Sequence, residues 1–368
     1  MTKYAIPSAA VLALFCLAGC ERATGMSDDV MCGTCQIVRR EVATLGAPDG
    51  IGAFAGQPRL VRRQSDGTIW VLGAGMPIAF DSLGEPLRLL GTSGPGPGEF
   101  QAVADVLPLG GDSLLIVDSG ANRAVVLGPG TDSAGSGFEL VASWFDGRVG
   151  EWPSELIMNG LISNPERVGY PLHTLRVGVE GIEVIASYGR NDGELRPFDV
   201  DALMTRLTRV SEGTFWSASF TTYDLAHWTL DGELLRRIER RPRWFAGRSE
   251  RPFGTPDEAP TPSIAAVELD DDQLLWVFIS VAADEWATAW PEGVWRSGEI
   301  PQGSVRQDLL FDTIVEVIDP EAQRVVARER FPAHIISSLG RNRAVEYVVN
   351  DDDVPMLRVI ELRLHGSS

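Results

Sequence analysis

Lysine is almost missing from this chain of 368 residues. Lys3 is the only one, and every other basic residue is an arginine. The body of the protein therefore has no lysine for a P-loop or a Schiff base, which excludes lysine-dependent chemistry. Basic residues are also scarce as a class, because 32 Lys+Arg stand against 51 Asp+Glu and give a net charge of −19. We expect no binding to nucleic acid, whose phosphates require clustered positive charge.

Histidine is scarce too, and its four copies are scattered along the chain. They form neither a His-x-His nor a His-Glu-x-x-His pattern, so they predict no metal site and no catalytic triad. The four are His173, His227, His334 and His365. We therefore predict no catalytic residues.

Calcium is the one cofactor that the sequence leaves open. Two acidic runs, 270–272 and 350–353, carry several of the carboxylates that Ca²⁺ prefers. Both lie between strand-like segments, and neither has the spacing of a calcium-binding loop, so we interpret them as hairpin turns. We expect no cofactor, with Ca²⁺ as the alternative.

The N-terminal apolar run is too short to span a bilayer, which requires about 20 residues. It extends from Ala5 to Ala18 behind the single charge of Lys3 and is typical of a secretory signal peptide. Residues 17–20 then read Leu-Ala-Gly-Cys, which resembles the lipobox of bacterial lipoproteins. The resemblance implies that residues 1–19 are removed and that Cys20 is acylated and anchored in a membrane. An ordinary signal peptide with a chance cysteine is the alternative.

The resemblance also implies a location in the cell envelope. Glu21 follows Cys20, whereas an aspartate there is associated with the inner membrane of enteric bacteria, so the outer membrane is favoured. Attachment of more than one acyl chain provides the stable anchoring that a single chain does not. Residues 21–30 are polar and contain Gly, Ser and Asp, and we expect them to form a short flexible tether.

Two further cysteines follow the tether in Cys32-Gly33-Thr34-Cys35. Outside the cytoplasm this pair is expected to form a disulfide. A haem site would require a histidine next, but position 36 is glutamine, and a zinc site would require two more ligands. A redox role is the alternative, and it would require the pair to begin a helix. We predict a structural disulfide in an N-terminal region spanning 20–35.

The remainder of the chain, 36–364, is predicted to be all-β. Strand-like runs recur throughout it, separated by Gly, Asp, Asn and Pro turns, and no long amphipathic helix interrupts them. Many runs, such as 113–117 and 274–278, are apolar at successive positions, which indicates strands buried on both faces. Sheets stacked face to face around an axis satisfy that demand, whereas a single one-sided sheet does not.

One segment carries a specific repeat motif. A Gly-rich turn ends in Gly98-Glu99-Phe100, a strand ends in Asp118, and Asn122-Arg123 precedes the next strand. This segment resembles the NHL repeat, and the arrangement of the chain is similar to bacterial six-bladed β-propeller lipoproteins. A related turn recurs near 81, 231 and 319, at a spacing that suits blades of about 40–45 residues.

We predict a six-bladed β-propeller, with seven blades as the alternative because the fifth segment is overlong. The run 36–45 is an orphan strand, which we expect to complete the blade that contains the C-terminal strands, since closure removes unpaired sheet edges. The predicted blades are 57–91, 102–145, 154–190, 203–243, 262–332 and 333–364.

The segment 283–307 departs most from the blade period and carries Trp286, Trp290 and Trp295. Tryptophan is enriched at interface hot spots, so this loop is a candidate binding site. The alternative is that the three side chains pack on their own propeller.

The predicted function is a lipid-anchored module that binds or scaffolds, with an unidentified protein or small ligand as partner. The alternative is a hydrolase, lactonase or lyase that holds a metal in the central channel. Several carboxylate, Asn or His side chains converging at one channel mouth would favour the enzyme. An apolar channel beside an exposed tryptophan loop would favour binding.

Overall fold

The structure is a computed structural model. It describes residues 26, 28–30, 32–73, 75–96, 98–109, 112–128, 137–140, 142–149, 155–162, 164, 166–178, 181–189, 204–245, 254–291 and 305–366.

Six four-stranded antiparallel sheets and one short parallel pair make up the described chain. The strands are β1 (Gln36–Leu45), β2 (Leu60–Arg63), β3 (Ile69–Leu72), β4 (Ile78–Phe80), β5 (Pro86–Leu89), β6 (Thr92–Ser93), β7 (Glu99–Phe100), β8 (Val103–Pro108), β9 (Leu114–Asp118), β10 (Arg123–Leu127), β11 (Gly137–Glu139), β12 (Ala142–Val149), β13 (Leu156–Ile162), β14 (Leu172–Gly178), β15 (Gly181–Tyr188), β16 (Thr205–Leu207), β17 (Thr214–Ser219), β18 (Asp224–Thr229), β19 (Leu234–Glu239), β20 (Ser263–Leu269), β21 (Leu275–Ala282), β22 (Phe311–Asp319), β23 (Arg324–Phe331), β24 (His334–Gly340), β25 (Arg343–Val349) and β26 (Pro355–His365).

Helical structure is confined to one loop of the described chain. A 3₁₀ turn, Trp286–Ala289, and the four-residue helix α1, Gln307–Leu310, both lie between β21 and β22. Among the described residues, no helix is long and apolar enough to cross a membrane.

The sheets are the six blades of a β-propeller. The first strands of the six sheets, which are β2, β8, β12, β16, β20 and β24, contact one another in a closed cycle, so they form the inner wall of a channel. This confirms the all-β fold with six blades, and the seven-bladed alternative is wrong. The fifth segment is overlong because a loop, 283–310, separates β21 from β22 within a single blade.

The N-terminal strand lies at the outer edge of the last blade. β1 pairs antiparallel with β26, and the register runs from Gln36 opposite His365 to Leu45 opposite Leu357. A hydrogen-bonded pair of strands therefore joins the two ends of the described chain. Cys32 and Cys35 form a disulfide immediately before β1, which confirms the predicted pairing.

Strand β21 shows why the inner strands of the sequence are apolar at successive positions. Seven of its eight residues are buried. Trp276 and Phe278 pack into a cluster shared with the sixth blade, whereas Val277 and Ile279 pack into a cluster shared with the fourth. Each face of this sheet thus contributes to a different core, and every inter-blade space has its own.

The residues of the NHL-like segment fix the passage from the first blade to the second. Asp118, at the end of β9, accepts hydrogen bonds from the backbone N–H groups of Gln101 and Ala102 at 3.2 and 2.9 Å. Arg123 Nε donates to the same carboxylate at 3.3 Å, and its Nη2 donates to the carbonyl of Glu99. Because Asp118 is fully buried, these donors are the partners that its charge requires.

Two predicted blade boundaries differ from the structure. Residues 142–145 were assigned to the second blade and 154 was taken as the start of the third, but β12 is the innermost strand of the third blade. Asp146-Gly147-Arg148 in its middle is typical of a turn by composition. It is a strand because its side chains face a polar channel, where charge is tolerated in mid-strand.

Candidate functional site: the mouth of the central channel

The carboxyl ends of the six innermost strands meet at one mouth of the channel, around a cavity of about 300 Å³. All six blades contribute to its wall, and most of the residues that line it are charged or polar. The polar members are Arg62, Arg63, Gln64, Ser65, Arg148, Arg209, Glu268, Ser338 and Arg341. A cavity of this size is suited to a small molecule.

A buried ion network connects the first three blades at this mouth. Arg62 Nη2 donates to Asp105 Oδ2 at 3.1 Å and to Asp146 Oδ1 at 2.6 Å. Arg148 Nη1 donates to the same Asp146 oxygen at 2.6 Å, and Trp144 Nε1 donates to Asp105 at 2.9 Å. Buried charges require such pairing, so the network fixes the inner strands relative to one another.

The arginines of the network set its protonation. Burial by itself would raise the pKa of the Asp146 carboxyl, but Arg148 and Arg62 hold that pKa below its ordinary value. Arg206, on β16, adds to the positive field and lies 5.1 Å from the ring centroid of Phe220. Asp146 is therefore anionic at neutral pH and is occupied by its arginine partners.

Glu268, on β20, is the carboxylate that faces the cavity. Its side chain is only 8% exposed, and Oε2 accepts a hydrogen bond from Ser338 Oγ at 3.1 Å. Oε1 has no hydrogen-bond partner in the described chain, since Arg209 Nε is 3.6 Å away and beyond bonding distance. Burial raises the pKa of Glu268 to about 7, against the opposing effects of Arg209 and Ser338.

Positive charge is in excess at the rim of the mouth. Arg63 makes no hydrogen bond or ion pair with any described residue. Partial burial lowers the pKa of its guanidinium, and the nearby Arg343 and Arg341 lower it further. Arg209 is paired with the exposed Asp271 at 2.8 Å. The rim therefore concentrates like charges in a protein whose net charge is −19.

No metal-binding cluster accompanies the cavity. Across the ranges that the structure describes, no three His, Cys, Asp or Glu side chains are grouped so that they could hold a metal ion. The acidic runs form hairpin turns: Asp270 accepts from the N–H groups of Asp272 and Leu274 at 2.9 and 2.8 Å. Asn350 caps the other turn in the same way. The described residues give the predicted Ca²⁺ alternative no ligand set.

The described part of the candidate tryptophan loop, 283–291 and 305–307, lies away from this mouth. It follows β21, which runs back from the cavity side of the fifth blade to the opposite side. Trp286 and Trp290 are half-buried against a small cluster built on Leu310 and Phe311. Trp295 and Cys20 lie outside the described residues. For the two described tryptophans, packing on the protein itself is therefore the arrangement found.

The described histidines of the blades are structural in their contacts. His173 is fully buried, and its Nδ1 lies 2.8 Å from Ser187 Oγ. Burial lowers the pKa of His173 to about 4, so it is neutral at physiological pH. His227 stacks on Trp216 with ring centroids 4.7 Å apart. Neither side chain lines the cavity.

Sequence reasoning missed the residues of the mouth. Arg62, Arg148 and Glu268 lie in innermost strands that are largely buried, where a charge is costly unless it is paired. Charges inside otherwise buried strands were the available signal. The sequence could not show that these positions, from β2, β12 and β20, meet at one mouth.

Comparisons with known proteins support the fold but assign the chain to no family. No protein-family model matches the sequence, and no curated protein does. A member of the DUF4221 family from Bacteroides vulgatus is similar in structure, with a TM-score of 0.61, 10% identity and coverage of 90% of this chain and 99% of that one. A putative exported protein from Bacteroides fragilis gives a TM-score of 0.56 at 10% identity, covering 92% of this chain and 98% of that one. A virginiamycin B lyase from Staphylococcus aureus gives 0.46 at 11% identity, covering 89% and 100%. For the two Bacteroides proteins, the similarity at such identities shows a shared propeller fold and nothing about activity.

Proposed function

We propose that the protein is a lipid-anchored propeller of the cell envelope that binds a small ligand at the mouth of its central channel. The observation that carries the proposal is the cavity of about 300 Å³, whose wall combines six blades and converging charged groups. Concave, largely preformed cavities with a few oriented polar groups are typical ligand sites. The NHL-like segment supports the same kind of role, since propellers of that kind present rigid loops for recognition.

The proposal favours binding over catalysis for a chemical reason. The deeper carboxylates are already paired, since Arg62 donates to Asp105 and Asp146 and Arg148 donates to Asp146. At the mouth, Ser338 Oγ donates to Glu268 Oε2 at 3.1 Å, so the described residues offer one hydroxyl–carboxylate pair there. The hydrolase or lyase alternative would depend on that pair without a metal-binding cluster among the described residues, so we favour binding.

The anchor in this proposal is Cys20, and the chain sets how far it can reach. Asp28 is the first residue of the N-terminal region with a described ion pair, to Arg240 at 2.8 Å and to Arg328 at 2.6 Å. Asp28 is eight positions after Cys20. Eight residue steps span at most about 29 Å when fully extended. An acylated Cys20 would therefore hold the rim of blades four and five close to the membrane surface.

Changing Cys20 to serine should release the protein from the membrane. Without its acyl chains the chain loses the apolar attachment, which contributes about 0.8 kcal/mol for each buried CH₂ group. We expect the parent in the detergent-soluble membrane fraction and C20S in the soluble fraction, measured by immunoblotting after cell fractionation. A Cys32→Ser variant is the matched control, and it should stay with the membrane. Recovery of C20S in the membrane fraction at the level of the parent would contradict the anchor.

The binding role predicts a ligand that stabilises the native state. We expect at least one class in a panel of cationic, neutral and anionic small molecules to raise the melting temperature in proportion to the logarithm of its concentration. The measurement is a thermal shift on the full chain in mild detergent, together with native mass spectrometry of protein isolated from envelopes. A panel without any stabilising compound, and a protein without any bound small molecule, would reject binding at the mouth.

A further inference from the structure

The wall of the cavity contains a buried carboxyl oxygen that makes no hydrogen bond within the described chain. Glu268 Oε1 is buried and has no hydrogen-bond partner in the described chain. Gly340 borders it, and a Cβ at that position would lie 3.3 Å from Oε1. The missing side chain leaves the oxygen facing the cavity. A buried polar atom without a partner is costly, so this position is prepared for a group supplied from outside.

The same wall also contains several arginines, of which Arg209 lies 3.6 Å from Glu268 Oε1. Arg62 and Arg148 are engaged with buried aspartates, whereas Arg63 has no partner among the described residues, and Arg209 and Arg341 stand at the exposed rim. Guanidinium groups bind carboxylate, phosphate and sulfate oxygens with paired N–H donors. An anion at the rim would relieve the repulsion that Arg63 experiences from its neighbours.

We propose that the mouth of the channel binds the oxyanion of a small ligand. Arg63, Arg209 and Arg341 donate hydrogen bonds to it, and Glu268 donates one when its carboxyl is protonated. The inference rests on the proposed function and names its ligand class. The cavity, at about 300 Å³, is too small to admit a folded element of another protein. The net charge of −19 repels anions at long range, so the affinity must come from these short-range contacts.

The state of Glu268 sets the direction of the pH dependence. The charged groups that face it are Arg209 from the fourth blade, Arg148 from the third and Asp270 in its own turn, while Ser338 of the sixth blade donates to it. Its pKa is raised to about 7. Below that pH the carboxyl is protonated and donates to an anion, and above it the carboxylate repels one. Affinity therefore falls as the pH rises through about 7.

Sulfate is the probe, because it carries the tetrahedral oxyanion and does not titrate near neutral pH. We expect calorimetric titration of the full chain in detergent, at constant ionic strength, to show sulfate binding that chloride does not reproduce. The dissociation constant should rise several-fold between pH 6 and pH 8, with a limit of tenfold for each pH unit if one proton is linked. Inorganic phosphate and acetate, tested in parallel, separate phosphate-type from carboxylate-type ligands.

Variants assign the contacts. Arg63→Gln and Arg209→Gln should each weaken sulfate binding about tenfold or more, since a hydrogen bond to a charged group contributes about 1.5–3 kcal/mol. Arg176→Gln is the matched control, because this exposed arginine lies on β14 away from the mouth, and it should bind as the parent does. Glu268→Gln should keep the affinity measured at pH 6 and lose the dependence on pH. All four variants should retain the parent's far-ultraviolet circular dichroism.

Two results would overturn the inference. One is that sulfate, phosphate and acetate all bind no tighter than chloride. The other is equal loss of binding in R176Q and R63Q, which would indicate a diffuse charge effect. If a neutral or cationic compound stabilises the protein while every oxyanion fails, the ligand class is wrong and the proposed function stands. If no compound of any class binds, both fail together.

Discussion

Replacing Arg240 by alanine should lower the free energy of unfolding by about 3–5 kcal/mol, the usual cost of removing one partner from a buried ion pair. Arg240 is 2% exposed and is paired with the fully buried Glu316. Tyr223 donates its hydroxyl to the same carboxylate, and Arg328 Nε donates to Glu316 at 2.6 Å. Loss of the Arg240 guanidinium leaves a buried negative charge with one cation fewer. Guanidinium denaturation followed by tryptophan fluorescence measures the change.

The matched control is Arg237→Ala, on β19, the strand that ends directly before Arg240. Arg237 is paired with Asp224 at 2.5 Å, but its side chain is 53% exposed, so its loss should cost at most about 1 kcal/mol. The two substitutions remove the same charge and the same number of atoms. Equal losses in R237A and R240A would show that burial of the pair is not what stabilises blades four and five.

The same cluster bears on the N-terminal region. Asp28 binds both Arg240 and Arg328, and Val30 forms a bridge with Val325 of the fifth blade. The sequence predicted a flexible tether over 21–30 from composition alone, whereas the described end of that segment is attached to the propeller. Composition reports the polarity of a segment, but whether it is attached depends on charges more than 200 residues away in the chain.

The fold was predictable because blade packing leaves a strong local signal. Runs such as 275–279 are apolar at successive positions, and this pattern has one simple explanation, burial of both sheet faces. The orphan strand at 36–45 carried the signal for closure, since a propeller needs one strand from the far end of the chain. Seven blades became an alternative because the loop between β21 and β22 has no periodicity to separate it from a blade.

The channel mouth was not predictable for the opposite reason. Arg62 is 43 residues from Asp105 and 84 residues from Asp146 along the chain. Nothing local at any of these positions indicates its partner. The predicted second blade ends at 145, in the middle of β12, because the polar Asp146 and Arg148 interrupt the apolar pattern that marks the other strands. Sequence patterns report burial within one strand, whereas the site depends on the register of six.

A circular permutant and a chain without β1 should differ strongly in stability, and the comparison tests how the ring is closed. The register places Gln36 opposite His365, so an Asn-Gly turn can join these residues as a tight hairpin. The permutant would begin at residue 51 and run through 365, Asn-Gly and 36–50, with its new ends in the exposed turn at Gly50. We expect its free energy of unfolding to lie within about 1 kcal/mol of that of the chain 36–365 in natural order, because every native strand pair is kept.

Deleting β1 should have the opposite outcome. The chain 51–365 exposes the outer edge of β26 and loses the buried side chains of Ile37 and Leu45. Each is worth about 2–5 kcal/mol, which together approach the total stability of an ordinary domain. We expect no cooperative unfolding transition from this chain, measured by circular dichroism in urea. If the truncated chain is as stable as the chain 36–365, then β1 is not required to close the ring. A permutant that fails beside a stable natural-order chain would place the two chain ends farther apart than the β1–β26 register requires.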